Sequence, residues 1–127
     1  MPSKPKSDFG LVYTRLKTIL RKYESGALRA QAGGAASYEL IGPPTPTSRG
    51  KEVWFGAVRL GKSYVSYHLM AVYAFPELLT GLSPQLKKRM QGKSCFHFTA
   101  VDEPLFDELE QLTERSYKGF KKHKLIN

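Results

Sequence analysis

A run of alternating residues between positions 53 and 70 constrains the fold of this chain more than any other feature. The sequence VWFGAVRLGKSYVSYHLM reads as two strands that meet at Gly61-Lys62. A two-residue turn at that point would pair Leu60 with Ser63 and would fix the register of the whole hairpin. Because side chains alternate between the two faces of a strand, this register divides the residues into two sets. We therefore predict a hairpin with one face in the core and one face open.

The two faces of this hairpin differ in chemistry. The face predicted to enter the core carries Trp54, Val58, Leu60, Val65, Tyr67 and Leu69. The other face carries Phe55, Ala57, Arg59, Tyr64, Ser66 and His68. Ligand sites combine apolar walls with a few polar groups, and an arginine suits an anionic ligand. We expect any ligand-binding site to comprise Phe55, Arg59, Tyr64, Ser66 and His68.

Amphipathic helices are predicted at both ends of the chain. Apolar residues recur at spacings of three and four over residues 9–23, with Ser7 or Asp8 as the N-cap. Asp102 is placed to cap a second helix over residues 103–121, which has an apolar stripe and a charged flank. Each helix therefore has one face to bury against another layer.

Shorter elements are predicted between these helices. Residues 37–41 read as a strand, and CFHFT (residues 95–99) alternates in the way expected for a strand with buried Phe96 and Phe98. Prolines at positions 76 and 84 each open a short helical stretch. The sequence predicts an α+β fold, a small twisted antiparallel sheet packed against the N- and C-terminal helices.

The length of 127 residues is typical of one domain. We predict a single domain over residues 1–127, with frayed tails at 1–7 and 122–127. The small-residue segment 27–37 reads as a connector with weak structural preference. Residues 42–50, GPPTPTSRG, read as a proline-rich surface loop that leads into the hairpin.

Cysteine content and hydropathy indicate the compartment. Cys95 is the only cysteine of the chain, which excludes an intramolecular disulfide and a cysteine-rich zinc site. The N-terminal sequence lacks the apolar run of a signal peptide, and no stretch approaches the ~20 apolar residues of a membrane span. We predict a cytoplasmic protein that has no membrane partner.

The formal net charge of +9 raises the question of nucleic-acid binding. Aromatic platforms beside basic groups are the physical requirement, and Phe55, Tyr64 and Arg59 supply a small version of it. The remaining cations are scattered over both terminal helices and the KKR run at residues 87–89. Such scattering is typical of solvated helix faces, so nucleic-acid binding is only the second alternative function.

Two groups of residues are candidate metal ligands. Cys95 and His97 stand two apart on one predicted strand, and His68 could lie on a neighbouring strand. A zinc site needs three or four protein ligands, and no nearby motif supplies the fourth. The second group lines one flank of the last helix: Glu103, Asp107, Glu110 and Glu114. Hard cations such as iron bind carboxylates, but such flanks are usually the solvent side of an amphipathic helix.

The sequence contains no complete catalytic motif. Cys95 as a nucleophile would need a base within hydrogen-bond reach and an oxyanion hole, and only the base has candidates, His97 or His68. We therefore predict a non-enzymatic protein without a cofactor.

From Tyr38 to Phe120 the chain resembles the YdhG-like family of small domains of unknown function. The segments that carry the resemblance are VWFGAVRLGKSYVSYHLM, FPELL, SPQLKKRMQGKSCFHF and the acidic amphipathic helix that follows. The resemblance implies an α+β fold with a small antiparallel sheet covered by helices. Some members are described as frataxin-like iron chaperones, whose iron binding rests on carboxylates of an early helix, whereas the first helix here is basic.

The prediction from these patterns is a binding or interaction domain. Its exposed sheet face would take a small anionic ligand or a protein partner, and the chain would be a monomer or a homodimer. Intracellular metal or iron binding is the alternative.

Overall fold

The computed structural model describes residues 5–24, 28–32, 36–43, 49–92 and 94–124. Their elements, in chain order, are α1 (Pro5–Arg21), β1 (Arg29–Ala32), β2 (Ser37–Gly42), β3 (Val53–Leu60), β4 (Val65–Leu69), α2 (Met70–Ala74), a 3₁₀ turn (Pro76–Leu79), α3 (Pro84–Lys87), β5 (Met90–Gln91), β6 (Cys95–Phe98) and α4 (Glu103–Lys122).

The strands of the described residues form one antiparallel sheet in the order β1-β2-β3-β4-β6-β5. Helix α1 packs on β3 and β4, and α4 packs beside α1. The inward residues of the sheet join the apolar stripes of both helices in one core. The predicted α+β fold, with a sheet packed against the terminal helices, is confirmed.

Helix α4 follows its sequence signals closely. The Asp102 side chain accepts a hydrogen bond from the Leu105 amide at 3.3 Å, which is the predicted N-cap. At the centre of the helix, Tyr67 of β4 is fully buried and its hydroxyl lies 2.7 Å from Thr113 Oγ1. Thr113 in turn donates to the Leu109 carbonyl at 2.8 Å. This chain of hydrogen bonds satisfies the polar groups where α4 meets the sheet.

The predicted ends of the chain need correction. Helix α1 begins at Pro5, so Ser7 and Asp8 lie inside the helix and neither is its N-cap. Residues 5–7 are therefore helical, while the rest of the predicted N-terminal tail lies outside the described residues. Helix α4 includes Lys122, and residues 125–127 also lie outside the described residues.

Two strands at the sheet edges were not predicted. Strand β1 lies within the segment predicted to be a connector, and it pairs with β2 along its whole length. Its sequence, RAQA, has little intrinsic preference for a strand, so the backbone pairing with β2 dominates over propensity. Strand β5 is only two residues long and pairs with β6. The residues 44–48 of the proline-rich segment lie outside the described residues.

The hairpin turn lies one residue later in the chain than the predicted turn. The Gly61 amide donates to the Tyr64 carbonyl at 2.9 Å, so the two turn residues are Lys62 and Ser63. Leu60 consequently pairs with Val65 and not with Ser63. The partner of each residue moves by two places, which is one full period of a strand, so most side chains keep their predicted faces.

A β-bulge reverses the faces at the start of β3. Leu40 pairs with Gly56 but Ile41 pairs with Trp54, so Phe55 is an additional residue on β3. Phe55 is fully buried on the helix side, whereas Trp54 is 42% exposed. The predicted sides of Trp54 and Phe55 are therefore wrong, because an extra residue inverts the alternation on one side of it.

The Phe55 ring belongs to an aromatic cluster beneath the helices. Its centroid lies 5.4 Å from that of Phe120 and 6.0 Å from that of Tyr117, both on α4, and both pairs are edge-to-face. The Tyr23 ring lies 6.1 Å away. Edge-to-face pairs add to the stabilisation that burial gives.

We expect Gly56→Ala to destabilise the protein by about 1–3 kcal/mol. A Cβ atom at this position would lie 2.7 Å from the His68 carbonyl oxygen and 3.1 Å from Leu20 Cδ1 of α1. The matched control is Gly10→Ala in α1, where a Cβ would meet nothing within 4 Å. That change should stabilise the helix by about 1 kcal/mol. Urea unfolding measures both, and equal stability of Gly56→Ala and the unsubstituted protein would contradict the close packing.

Candidate functional site

The sheet face opposite α1 and α4 bears an open cavity of about 570 Å³. Its lining residues are Arg59, Leu60, Gly61, Lys62, Ser63, Tyr64, Ser66, His68, Cys95 and His97. The face thus brings together four of the five residues predicted to bind a ligand, and it adds the predicted pair Cys95 and His97. The volume lies within the range of small-molecule sites.

Strand pairing explains why these residues meet. Arg59 of β3 pairs with Ser66 of β4, and Ser66 pairs with His97 of β6. Directly opposed residues of an antiparallel sheet share a face, so the three side chains form one row. His68 and Cys95 pair in the neighbouring row. The structure thus places Cys95 and His97 on the same face as the polar residues of the hairpin.

Phe55 is absent from this row of residues. It was predicted beside Arg59, but the bulge turns it into the core, where it is fully buried. Trp54 takes the outward side instead, and it pairs with Ile41 of β2. Trp54 does not line the cavity, so the aromatic group at the site comes from Tyr64.

The guanidinium group of Arg59 is held by a carboxylate that the sequence reading missed. Arg59 Nη2 donates to Glu39 Oε2 at 3.0 Å. The Glu39 side chain is 11% exposed and that of Arg59 is 49% exposed. Glu39 stands between the buried Tyr38 and Leu40 in the strand sequence SYELI, and this alternation is the signal that places it outward. The ion pair fixes the direction of Arg59 while leaving much of it open to solvent.

His68 and Cys95 form a close pair with low reactivity. Cys95 Sγ lies 3.6 Å from His68 Nε2. Burial raises the pKa of the Cys95 thiol to about 11, against a smaller opposing effect of Arg59. Burial also lowers the pKa of His68, and the charge of Arg59 and the protonated form of His97 lower it further, against an opposing effect of Glu39. Near neutral pH the pair is therefore a thiol beside a neutral imidazole, which is a poor nucleophile.

Tyr64 and His97 form a stacked aromatic wall. Their ring centroids are 3.7 Å apart and their planes differ by 13°. The Tyr64 residue is 40% exposed. Burial lowers the pKa of His97, so its ring also stays neutral near neutral pH. Lys62 and Ser63 of the turn complete the rim, and neither was among the predicted ligand-binding residues. Ser63 was predicted to pair with Leu60 on the strand and not to lie in the turn.

The predicted metal ligands do not form a metal site among the described residues. No group of three or more His, Cys, Asp or Glu side chains there is close enough to hold a metal ion. Three of the four carboxylates on α4 have basic partners: Glu103 with Arg15, Glu110 with Lys22 and Glu114 with Lys118. The first two partners belong to α1, or follow it directly, so this flank of α4 lies along a basic edge of the neighbouring helix.

Comparison of the chain with family models, with curated proteins and with solved structures yields no match. Among the described residues, none of the helices has the length and apolar character needed to cross a membrane. The chemistry of the sheet face is therefore the basis for a functional proposal.

We expect Arg59→Ala to cost about 1–3 kcal/mol, because it leaves the nearly buried Glu39 carboxylate without its partner. Adding Glu39→Gln should restore part of that loss, since a neutral amide costs less to bury. The control is Arg15→Ala, whose ion pair with Glu103 is exposed on both sides and should contribute less than about 1 kcal/mol. Chemical denaturation measures all three; equal losses for Arg59→Ala and Arg15→Ala would contradict this role of Glu39.

Cys95 should react slowly with iodoacetamide at pH 8, and its rate should still rise between pH 9 and 10. A thiol whose pKa is raised to about 11 is mostly protonated throughout that range, and the thiolate is the reactive form. The urea-unfolded chain is the control, because its single thiol should reach half of its maximum rate near the ordinary pKa of about 8.5 and level off above it. Mass spectrometry follows both reactions, and a plateau near pH 9 in the folded protein would refute the shift.

Proposed function

We propose that this protein is a non-enzymatic binding domain whose open sheet face holds a small anionic ligand. The observation that carries the proposal is the charge of the cavity lining. Among the described residues that line it, Arg59 and Lys62 are cationic and none is a carboxylate. An anion in the cavity would therefore meet two positive charges at close range.

The Arg59 side chain is better prepared to bind an anion than an unrestrained surface arginine would be. An arginine on an open surface loses rotamer freedom when it binds a ligand, and that loss weakens binding. Here the Glu39 carboxylate, 3.0 Å away, already restricts the guanidinium group. The free N–H groups of Arg59 are left for a ligand, and the hydroxyls of Ser63 and Ser66 add neutral donors at the same cavity.

The neutral state of the central pair supports binding without chemistry. Catalysis by Cys95 would require a thiolate, and its raised pKa keeps the thiol protonated at neutral pH. The backbone amide of His97 donates to the Arg89 carbonyl, so it is engaged in pairing and is not aimed at a ligand. These features favour a receptor over an enzyme.

A protein partner is the second candidate for the same face. The observation that favours it is the exposure of two large aromatic residues, Trp54 at 42% and Tyr64 at 40%. Aromatic residues are enriched at the centres of protein interfaces.

Two predictions from the sequence agree with either form of binding: membership of the YdhG-like family and a location in the cytoplasm. Iron handling is the less supported alternative, because three of the four α4 carboxylates already pair with bases.

Isothermal titration of the purified protein with inorganic phosphate, citrate and acetate tests the anion proposal. We expect at least the multivalent anions to bind, and we expect Lys62→Gln to weaken that binding about tenfold, the effect of one charge-assisted contact. The Glu39→Gln, Arg59→Gln double variant should weaken it similarly while leaving no unpaired buried carboxylate.

The matched control for this titration is Lys88→Gln, which removes one exposed cation at the end of α3, outside the cavity. If Lys88→Gln weakens anion binding as much as Lys62→Gln, the attraction is due to net charge and the site proposal fails. Sedimentation of the protein at several concentrations addresses the second candidate, because a homodimer on this face would lose stability in Tyr64→Ala and Trp54→Ala.

A further inference from the structure

We propose that the anion recognised here is a phosphate monoester attached to a planar ring, for which a nucleoside 5′-monophosphate is the simplest representative. This inference rests on the proposed anion site and specifies its ligand. It follows from two walls of the same cavity: the cationic, hydroxyl-rich wall and the stacked aromatic wall of Tyr64 and His97.

The donor wall favours phosphate over carboxylate. Arg59, Lys62, Ser63 and Ser66 all line the cavity, and their side chains offer guanidinium, ammonium and hydroxyl donors. A carboxylate presents two oxygens and one charge, whereas a phosphate monoester presents three terminal oxygens and up to two charges. The larger anion can satisfy more of these donors and both cations at once.

The aromatic wall adds a position for a planar ring. His97 lies parallel to Tyr64 at 3.7 Å and covers one face of it. Tyr64 is nevertheless 40% exposed, so the residue stays partly open to solvent although His97 covers one face of its ring. Because His97 holds the tyrosine in place, a ligand ring that stacks on the open face does not have to order it first. Any nucleobase has a π-face that can stack in this way.

The size and openness of the cavity agree with a single nucleotide. A volume of about 570 Å³ lies in the middle of the range for small-molecule sites. A base stacked on an aromatic residue and a phosphate on neighbouring cations are also the elements of single-strand binding. A free mononucleotide and a single strand both present a phosphorylated nucleoside. They differ because a longer strand can make further contacts with the protein.

The test is a calorimetric comparison of four probes: inorganic phosphate, ribose 5-phosphate, adenosine 5′-monophosphate and adenosine. We expect adenosine 5′-monophosphate to bind at least about tenfold more tightly than ribose 5-phosphate, which is the gain from one stacked base. Tyr64→Leu should abolish that difference, and Tyr64→Phe should keep it. Both variants alter a partly exposed residue, and circular dichroism checks that each is folded.

The outcomes separate this inference from the proposed function. If ribose 5-phosphate and adenosine 5′-monophosphate bind equally well, the anion site stands and the planar-ring inference is overturned. If none of the phosphate probes binds, this inference is overturned, and the proposed function fails as well when citrate does not bind either. A 5′-phosphorylated hexanucleotide is an additional, fifth probe. Binding more than about tenfold tighter than that of the mononucleotide, with a steep loss in salt, would identify a strand-binding surface and overturn the inference.

Discussion

The close contact between helix α1 and the bulged strand β3 determines how this sheet is used. At the bulge Phe55 and Gly56 both face the helices, and a Cβ atom at Gly56 would lie 2.7 Å from the His68 carbonyl oxygen and 3.1 Å from Leu20 Cδ1 of α1. The absence of a Cβ lets the helix lie low on the sheet, and the neighbouring Phe55 fills the space between Tyr23 and α4. The two terminal helices thereby pack against the same face of the sheet, next to the bulged strand.

A sheet packed on one side only must make its other face compatible with water. In this protein the outward face achieves this with paired polar groups, not with a run of lysines. Glu39 is bonded to Arg59, and His68 lies next to Cys95. Among the described residues, none has a fully buried side-chain nitrogen or oxygen that lacks a hydrogen-bond partner. The polar row is therefore compatible with the packed fold without a ligand.

Most side chains of this face could be assigned from the sequence, because a register error of two residues leaves each side chain of a strand on its predicted face. The turn was placed one residue early, yet Arg59, Ser66 and His68 kept their side because the resulting register error was two residues. The bulge is different: a single additional residue inverts the alternation, and Gly56, the signal of a bulge within VWFG, does not tell which residue is the extra one. Phe55 was therefore assigned to the wrong face. Strand β1 escaped detection for another reason, since its small and polar residues are strand-forming only when β2 is beside them.

The electrostatic balance of the site explains why it would attract an anion near neutral pH without first taking up a proton. Both histidines have lowered pKa values and the Cys95 pKa is raised, so the three titratable groups at the centre are uncharged there. The fixed charges are then Arg59 and Lys62 at the cavity and the buried carboxylate of Glu39 beneath Arg59. Glu39 offsets part of the positive charge, but it also directs the guanidinium group, so the attraction that remains is positioned as well as positive. A bound anion would favour the protonated forms of His68 and His97, and it would raise their pKa values toward the ordinary range.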